Sequence, residues 1–144
     1  VIAECYRVLK PGGTMLFCSP SDHFTDWFVG AKFLGDAYRN WFNKIARHHH
    51  CDSPEAWAAR LAKHGLSVER AWYYFSPRAL RILEIGHFLG VPNLLSKIVL
   101  GKWVLWPSAN NPMLKLLHTW LTPVYNEALP PTGACVFIVA RKLS

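Results

Sequence analysis

The sequence predicts an open α/β sheet, ahead of other α/β or α+β arrangements, on three observations. The chain opens with a helical stripe, a tight turn and an apolar strand. Two further β-like runs follow, at residues 67–75 and 134–140. The segments between carry apolar residues at helical spacing. Strands alternating with helices mark the α/β class.

Val1, Cys5 and Val8, flanked by Ile2 and Leu9, form the first stripe, and Glu4 and Arg7 share its other face. Pro11 ends this helix, because a proline pushes the residue before it out of the α region. Gly12 and Gly13 permit positive φ and a tight reversal. Thr14 to Cys18 is apolar nearly throughout, which suits a central strand covered on both faces, as in a parallel sheet. Ser19-Pro20-Ser21-Asp22 ends it, and open α/β sheets place ligands just past the carboxyl end of such strands.

Phe24, Trp27, Phe28, Ala31, Leu34, Tyr38, Trp41, Phe42 and Ile45 then recur at helical spacing. Gly30 and Gly35 interrupt them, so one broken helix or two short ones are expected. This aromatic stripe reads as a core face or as a lid over a large apolar substrate. Arg47-His48-His49-His50-Cys51 follows. Consecutive side chains diverge and cannot converge on one ion, so no metal site is expected. A solvated loop is the default, and a histidine turned into a cleft as general base is the functional alternative.

Asp52-Ser53-Pro54-Glu55 is a helix start: Ser53 caps, Pro54 fits the first position and Glu55 favours the positive end of the dipole. Trp57, Ala58, Leu61 and Ala62 form its expected buried stripe, and Gly65 suits a left-handed cap. Ser67 to Phe75 alternates as a strand, and Ala134 to Ala140 is an apolar strand closing the sheet.

Residues 76–133 hold seven of the ten prolines and Trp103, Trp106 and Trp120. Several short helices are expected there, broken at Pro92, Pro107, Pro112 and Pro123. No stretch of roughly eighteen charge-free apolar residues, the length of a membrane span, occurs. Lys97, Lys102 and Lys115 interleave with tryptophan and leucine, as in an interfacial helix. The segment reads either as an ordinary helical subdomain or as one in peripheral contact with a membrane.

The chain has 144 residues, of which 51% are hydrophobic, enough for one core and too apolar for disorder. A net charge of +7 points either to an anionic surface or substrate or to charge that a missing half of the protein balances. The basic residues are scattered and match no nucleic-acid-binding motif, so nucleic acid is not an expected partner. Cys5, Cys18, Cys51 and Cys135 are widely spaced, and buried, reduced thiols in a cytoplasmic protein are expected. Composition sets no oligomeric state.

Glu4-Cys-Tyr-Arg-Val-Leu-Lys-Pro-Gly-Gly13 resembles the Glu-x-x-Arg-Val-Leu-Lys-Pro-Gly-Gly signature that precedes the fifth strand of class I S-adenosylmethionine-dependent methyltransferases. Ser53-Pro-Glu, with Leu61 and Gly65-Leu66, is similar to the family's helix before strand six, and Ala140-Arg141-Lys142 to the end of strand seven. The resemblance covers roughly residues 1–22, 52–75 and 133–144. It implies the C-terminal part of a Rossmann-like sheet of order 3-2-1-4-5-7-6, strand seven antiparallel, with strands five, six and seven supplied here. Residues 1–144 would then be a partial methyltransferase domain, and 76–133 a helical insertion or cap where the family has a short hairpin.

The resemblance further implies S-adenosylmethionine as cofactor and a small, apolar or aromatic methyl acceptor. No strand followed by a Gly-x-Gly-type loop occurs here, and residue 1 already lies in a helical pattern without an initiator methionine. The cofactor-binding half is therefore expected upstream, no cofactor-contacting residue is assigned, and the fragment is expected to be inactive alone. A catalytic base is expected at His23 or among His48, His49 and His50. Trp27, Tyr38, Tyr73 and Tyr125 are the candidate substrate contacts, and Tyr74 a further hydroxyl that could orient a polar group. The competing reading is a non-enzymatic module that binds an apolar ligand or membrane surface through its Trp/Lys-rich helical segment.

Overall fold

The computed structural model describes residues 1–104, 107–108 and 110–143; Trp106, one of the insertion's tryptophans, lies outside them. Helix α1 (Ile2–Val8) leads through the glycine turn to β1 (Thr14–Pro20). Gly12 sits at φ 70°, the left-handed region its sequence suggested. Helices α2 (Val29–Ala46) and α3 (Pro54–Ala62) separate β1 from β2 (Leu66–Tyr74). Helices α4 (Pro77–Leu100) and α5 (Pro112–Tyr125) then precede β3 (Cys135–Lys142).

The three strands form a mixed α/β arrangement around a sheet of order β1-β3-β2. The last strand in sequence is thus the central one. It runs antiparallel to both neighbours, so β1 and β2 point the same way. Among the described residues β1 is an edge of this three-stranded sheet, and Leu16 is 62% exposed along it. A bulge between Val68 and Arg70 shifts the β2 register.

One sheet face carries Val136, Ile138 and Ala140, all fully buried, against Trp57 and Leu61 of α3 and Ile2 and Tyr6 of α1. Ser53 caps α3 as expected, accepting from the Ala56 amide at 3.3 Å. Ala62, placed in the buried stripe by its spacing, is exposed instead, since the stripe narrows to Trp57 and Leu61. Lys142 closes this layer: its Nζ donates to the Tyr6 and Leu9 carbonyls at 2.8 and 2.9 Å, satisfying the open end of α1.

The aromatic stripe after β1 builds a second core. Phe24, Phe28, Ala31, Tyr38 and Phe42 pack with Leu80 and Ala134. Gly35 kinks α2 with φ 58° and ψ −139°, while Gly30 does not break it. Gly30 is instead a close-approach site, because a Cβ there would stand 2.4 Å from the Tyr38 ring. Leu34 and Trp41 fall outside the core, exposed on the kinked helix. None of the four free cysteines is fully buried, and Cys18 is exposed on the edge strand, which corrects their expected burial.

The insertion also differs from its expectation. Pro77 and Pro112 start helices, but Pro92 and Pro123 lie inside them, so two long helices replace several short ones. A proline deprives the carbonyl four residues back of its donor; that residue, Phe88 for Pro92, is half exposed, and water can replace the lost partner. The continuous α4 is long and apolar enough to cross a membrane by length and composition, and only 6% of its apolar window is buried. Glu84 and Lys97 bound a charge-free run of residues 85–96, too short by itself for a span.

Glycine positions test this packing. Gly133→Ala places a Cβ 2.2 Å from the Tyr74 carbonyl oxygen, in rigid backbone, and is expected to cost about 1–3 kcal/mol. Gly86→Ala, in open space within α4, is expected to stabilise by about 0.5–1 kcal/mol. Urea unfolding of the two variants checks both signs.

Candidate active site

The strand directions gather three chain ends at one edge of the sheet. β1 and β2 leave there and β3 enters, with Pro20 and Tyr74 both paired to Cys135. Ser21 pins this edge from within. Its buried hydroxyl donates to the Gly133 carbonyl at 2.6 Å and accepts from the His23 amide at 3.1 Å, and its own amide donates to the Ala134 carbonyl at 2.8 Å. The loop that carries Asp22 and His23 is thereby tied to the start of β3.

On one side of that loop, three residues singled out in the sequence come together. The His23 ring stacks on Trp27 at 5.4 Å and leans on Tyr73 at 6.0 Å between centroids. The Tyr73 hydroxyl donates to Asp22 Oδ1 at 3.5 Å. Burial, with the nearby Asp22 and Glu55 charges, pushes the Tyr73 pKa up, so the phenol keeps its proton as a donor. His23 is half-buried, and its ring, framed by an indole and a phenol, can take a proton from an acceptor laid against those faces.

On the other side, a cavity of about 260 Å³ is lined by Cys18, Tyr74, Cys135, Phe24, Phe42, His48, Leu83 and His87, among others. His48 packs edge-on against Phe24 at 4.8 Å. Burial lowers its pKa below the ordinary 6.5, and its Nδ1 is buried without a hydrogen-bond partner among the described residues. Burial drives the Cys135 thiol up to about 11, and raises Tyr74 and Cys51 as well. Burial thus favours the protonated thiol of Cys135 where it lines the cavity.

This cavity continues into the insertion. Leu83 and His87 also line a second cavity, of about 420 Å³, between α4 and α5. Phe75, Ala79, Leu121 and Val124 are shared between that and a third, of about 540 Å³, which reaches Tyr125 and Leu129. The result is one apolar groove running from the sheet edge along the helix pair. Sequence reasoning missed His87 and Glu84. The signal available was their spacing: they sit three apart on one face of an otherwise apolar helix.

The remaining candidates are dispersed. Tyr38 is a core residue whose hydroxyl is buried beneath α2. Tyr125 is 89% exposed, at the base of the helix pair beside Ser76 and Glu127. His49 is exposed, and His50 lies beside the Asp52–Arg60 ion pair, whose N–O distance is 2.6 Å. Among the described residues, no group of three His, Cys, Asp or Glu side chains could hold a metal ion.

No family model and no curated protein matches the chain. A solved structure does. It is a "putative sarcosine dimethylglycine methyltransferase" from Galdieria sulphuraria, with 16% identity and a TM-score of 0.46. The match covers 99% of this chain and 46% of that one, so the chain spans less than half the length of the protein it resembles. The likeness is to part of that fold.

The groups at the sheet edge do not fit a nucleoside cofactor. Ser21 is fully engaged, Asp22 is turned to Tyr73, and no glycine-rich loop follows β1 or β2. What the edge offers is a histidine, two tyrosines and an apolar groove.

The half-buried His48 sets a pH dependence. Its folded pKa is depressed, so the unfolded chain takes up a proton first as pH falls below 6.5. Stability is full above that value and declines as pH falls toward the depressed one. His48→Phe is expected to flatten this decline in urea midpoints measured against pH, and identical slopes in the two proteins would count against the buried neutral ring.

Proposed function

We propose that the chain is the C-terminal, substrate-facing portion of an S-adenosylmethionine-dependent methyltransferase, one that methylates a small, apolar or aromatic molecule. The observation that carries this is the sheet: strands of common direction flank an antiparallel last strand, and the Lys-Pro-Gly-Gly turn leads into the first of them. That is the 5-7-6 pattern the opening motif implies. On this reading β1, β2 and β3 are strands five, six and seven, and α4 and α5 form the insertion between the last two. Leu16 and the free edge of β1 then face the half of the sheet that holds the cofactor. The free thiols fit a cytoplasmic protein.

The chain's own work is on the acceptor. The groove offers an apolar body the side chains of Phe75, Leu83, Trp120 and Leu121 to pack against. His23 lies across the loop from this groove, and there it takes the proton from the acceptor's O–H or N–H end, with Trp27 and Tyr73 packed against its ring.

In the full-length protein, His23→Ala is expected to lower kcat by roughly 100-fold or more, with KM changed little. Tyr73→Phe should raise KM instead. Turnover of labelled methyl groups with apolar acceptors gives both numbers. Unchanged kcat in His23→Ala would remove the histidine from the mechanism.

A further inference from the structure

The insertion leaves a surface that neither core explains. The antiparallel α4 and α5 are closed at their base, where Ser76 Oγ donates to a Glu127 carboxylate oxygen at 2.5 Å. The first turns of α4 are held to the body by buried Ala79, Leu80 and Glu84. Beyond them the pair projects. At its far end Leu95, Ile98 and Val99 are 56, 70 and 76% exposed, and Trp103 is 56% exposed. Leu94 joins Leu95, Ile98 and Val99 on one helical face. A contiguous apolar face of this kind marks an interaction site.

Charge selects the occupant. Residues 85–126 contain no aspartate or glutamate, but Lys97, Lys102 and Lys115 lie at this far end. Among the described residues none of the three makes an ion pair. The Lys97 ammonium instead donates to the Gly101 carbonyl at 3.0 Å, at the helix end. A second copy of this face would bring lysines against lysines. An anionic bilayer supplies both of the missing complements, an acyl layer for the leucine and isoleucine side chains and headgroup charge for the ammoniums.

We infer that the far end of the α4–α5 pair seats on an anionic membrane surface. Leu95, Ile98, Val99 and Trp103 enter the headgroup–acyl boundary, and the lysine stems reach back to the headgroups.

The full-length protein, sedimented with phosphatidylcholine vesicles with and without phosphatidylserine, tests this. Binding is expected to the phosphatidylserine vesicles alone and to be released by salt. The triple variant K97Q/K102Q/K115Q should bind roughly 100-fold more weakly, at about a kcal/mol per lysine, and K97R/K102R/K115R should bind as the parent does. These positions are exposed, and circular dichroism checks that each variant is folded. Absence of binding at low salt, equal binding to neutral vesicles, or self-association that ignores vesicles would overturn the inference. So would retention through an alkaline wash, which would mean that α4 crosses the bilayer instead of resting on it. Vesicle binding requires no methyl transfer, so this inference and the proposed function can fail separately.

Discussion

The carboxylate of Glu84 organises this molecule. It is 4% exposed and makes no ion pair among the described residues, a costly state for a charge unless backbone donors hold it. They do: the Val29 and Gly30 amides donate to its two oxygens at 2.8 and 2.9 Å. Those amides open α2, whose own N-cap, Phe28, has no side chain that could serve. A residue of the insertion thus caps a helix of the body, where the α2 dipole also favours its charge. The Tyr38 hydroxyl is buried close by, and burial together with the Glu84 charge raises its pKa. Gly30 must remain glycine for that ring to fit.

The candidate site inherits its geometry from this contact. Leu83 precedes Glu84 by one residue and His87 follows three later, and both line the cavity that His48 and Cys135 share. Fixing Glu84 on α2 therefore places the wall of the groove. The opposite wall depends on Ser21, which ties the His23 loop to the start of β3. Two buried polar residues, one on α4 and one just past β1, carry the relation between insertion and sheet. Apolar packing supplies most of the stabilisation, but it would tolerate sliding that these directional bonds forbid.

What could be read in the sequence was local. Ser53-Pro54-Glu55 announced α3 because capping is completed within one turn, and Gly12 and Gly65 marked left-handed backbone for the same reason. The grouping of His23, Trp27 and Tyr73 was half legible: the residue types were chosen, but not their meeting across β1 and β2. What escaped was long-range. Glu84 acts on amides 54 and 55 residues away, and Lys142 caps α1 from the other end of the chain. The pairing of β1 with β3 joins residues more than a hundred positions apart. Periodicity also identified the α2 stripe without showing whether Tyr38 faced core or substrate. Pro92 reads as a helix breaker by its own chemistry, and only its exposed surroundings let α4 continue.

Backbone amide hydrogen exchange at Val29 and Gly30 tests most directly whether Glu84 holds the insertion to the body. The account predicts slow exchange at both amides in the parent protein. In Glu84→Ala both should exchange roughly tenfold faster or more, the loss of a helix cap, together with the first turns of α4 and with no change in β3. Unaltered protection at Val29 and Gly30 in that variant would contradict it.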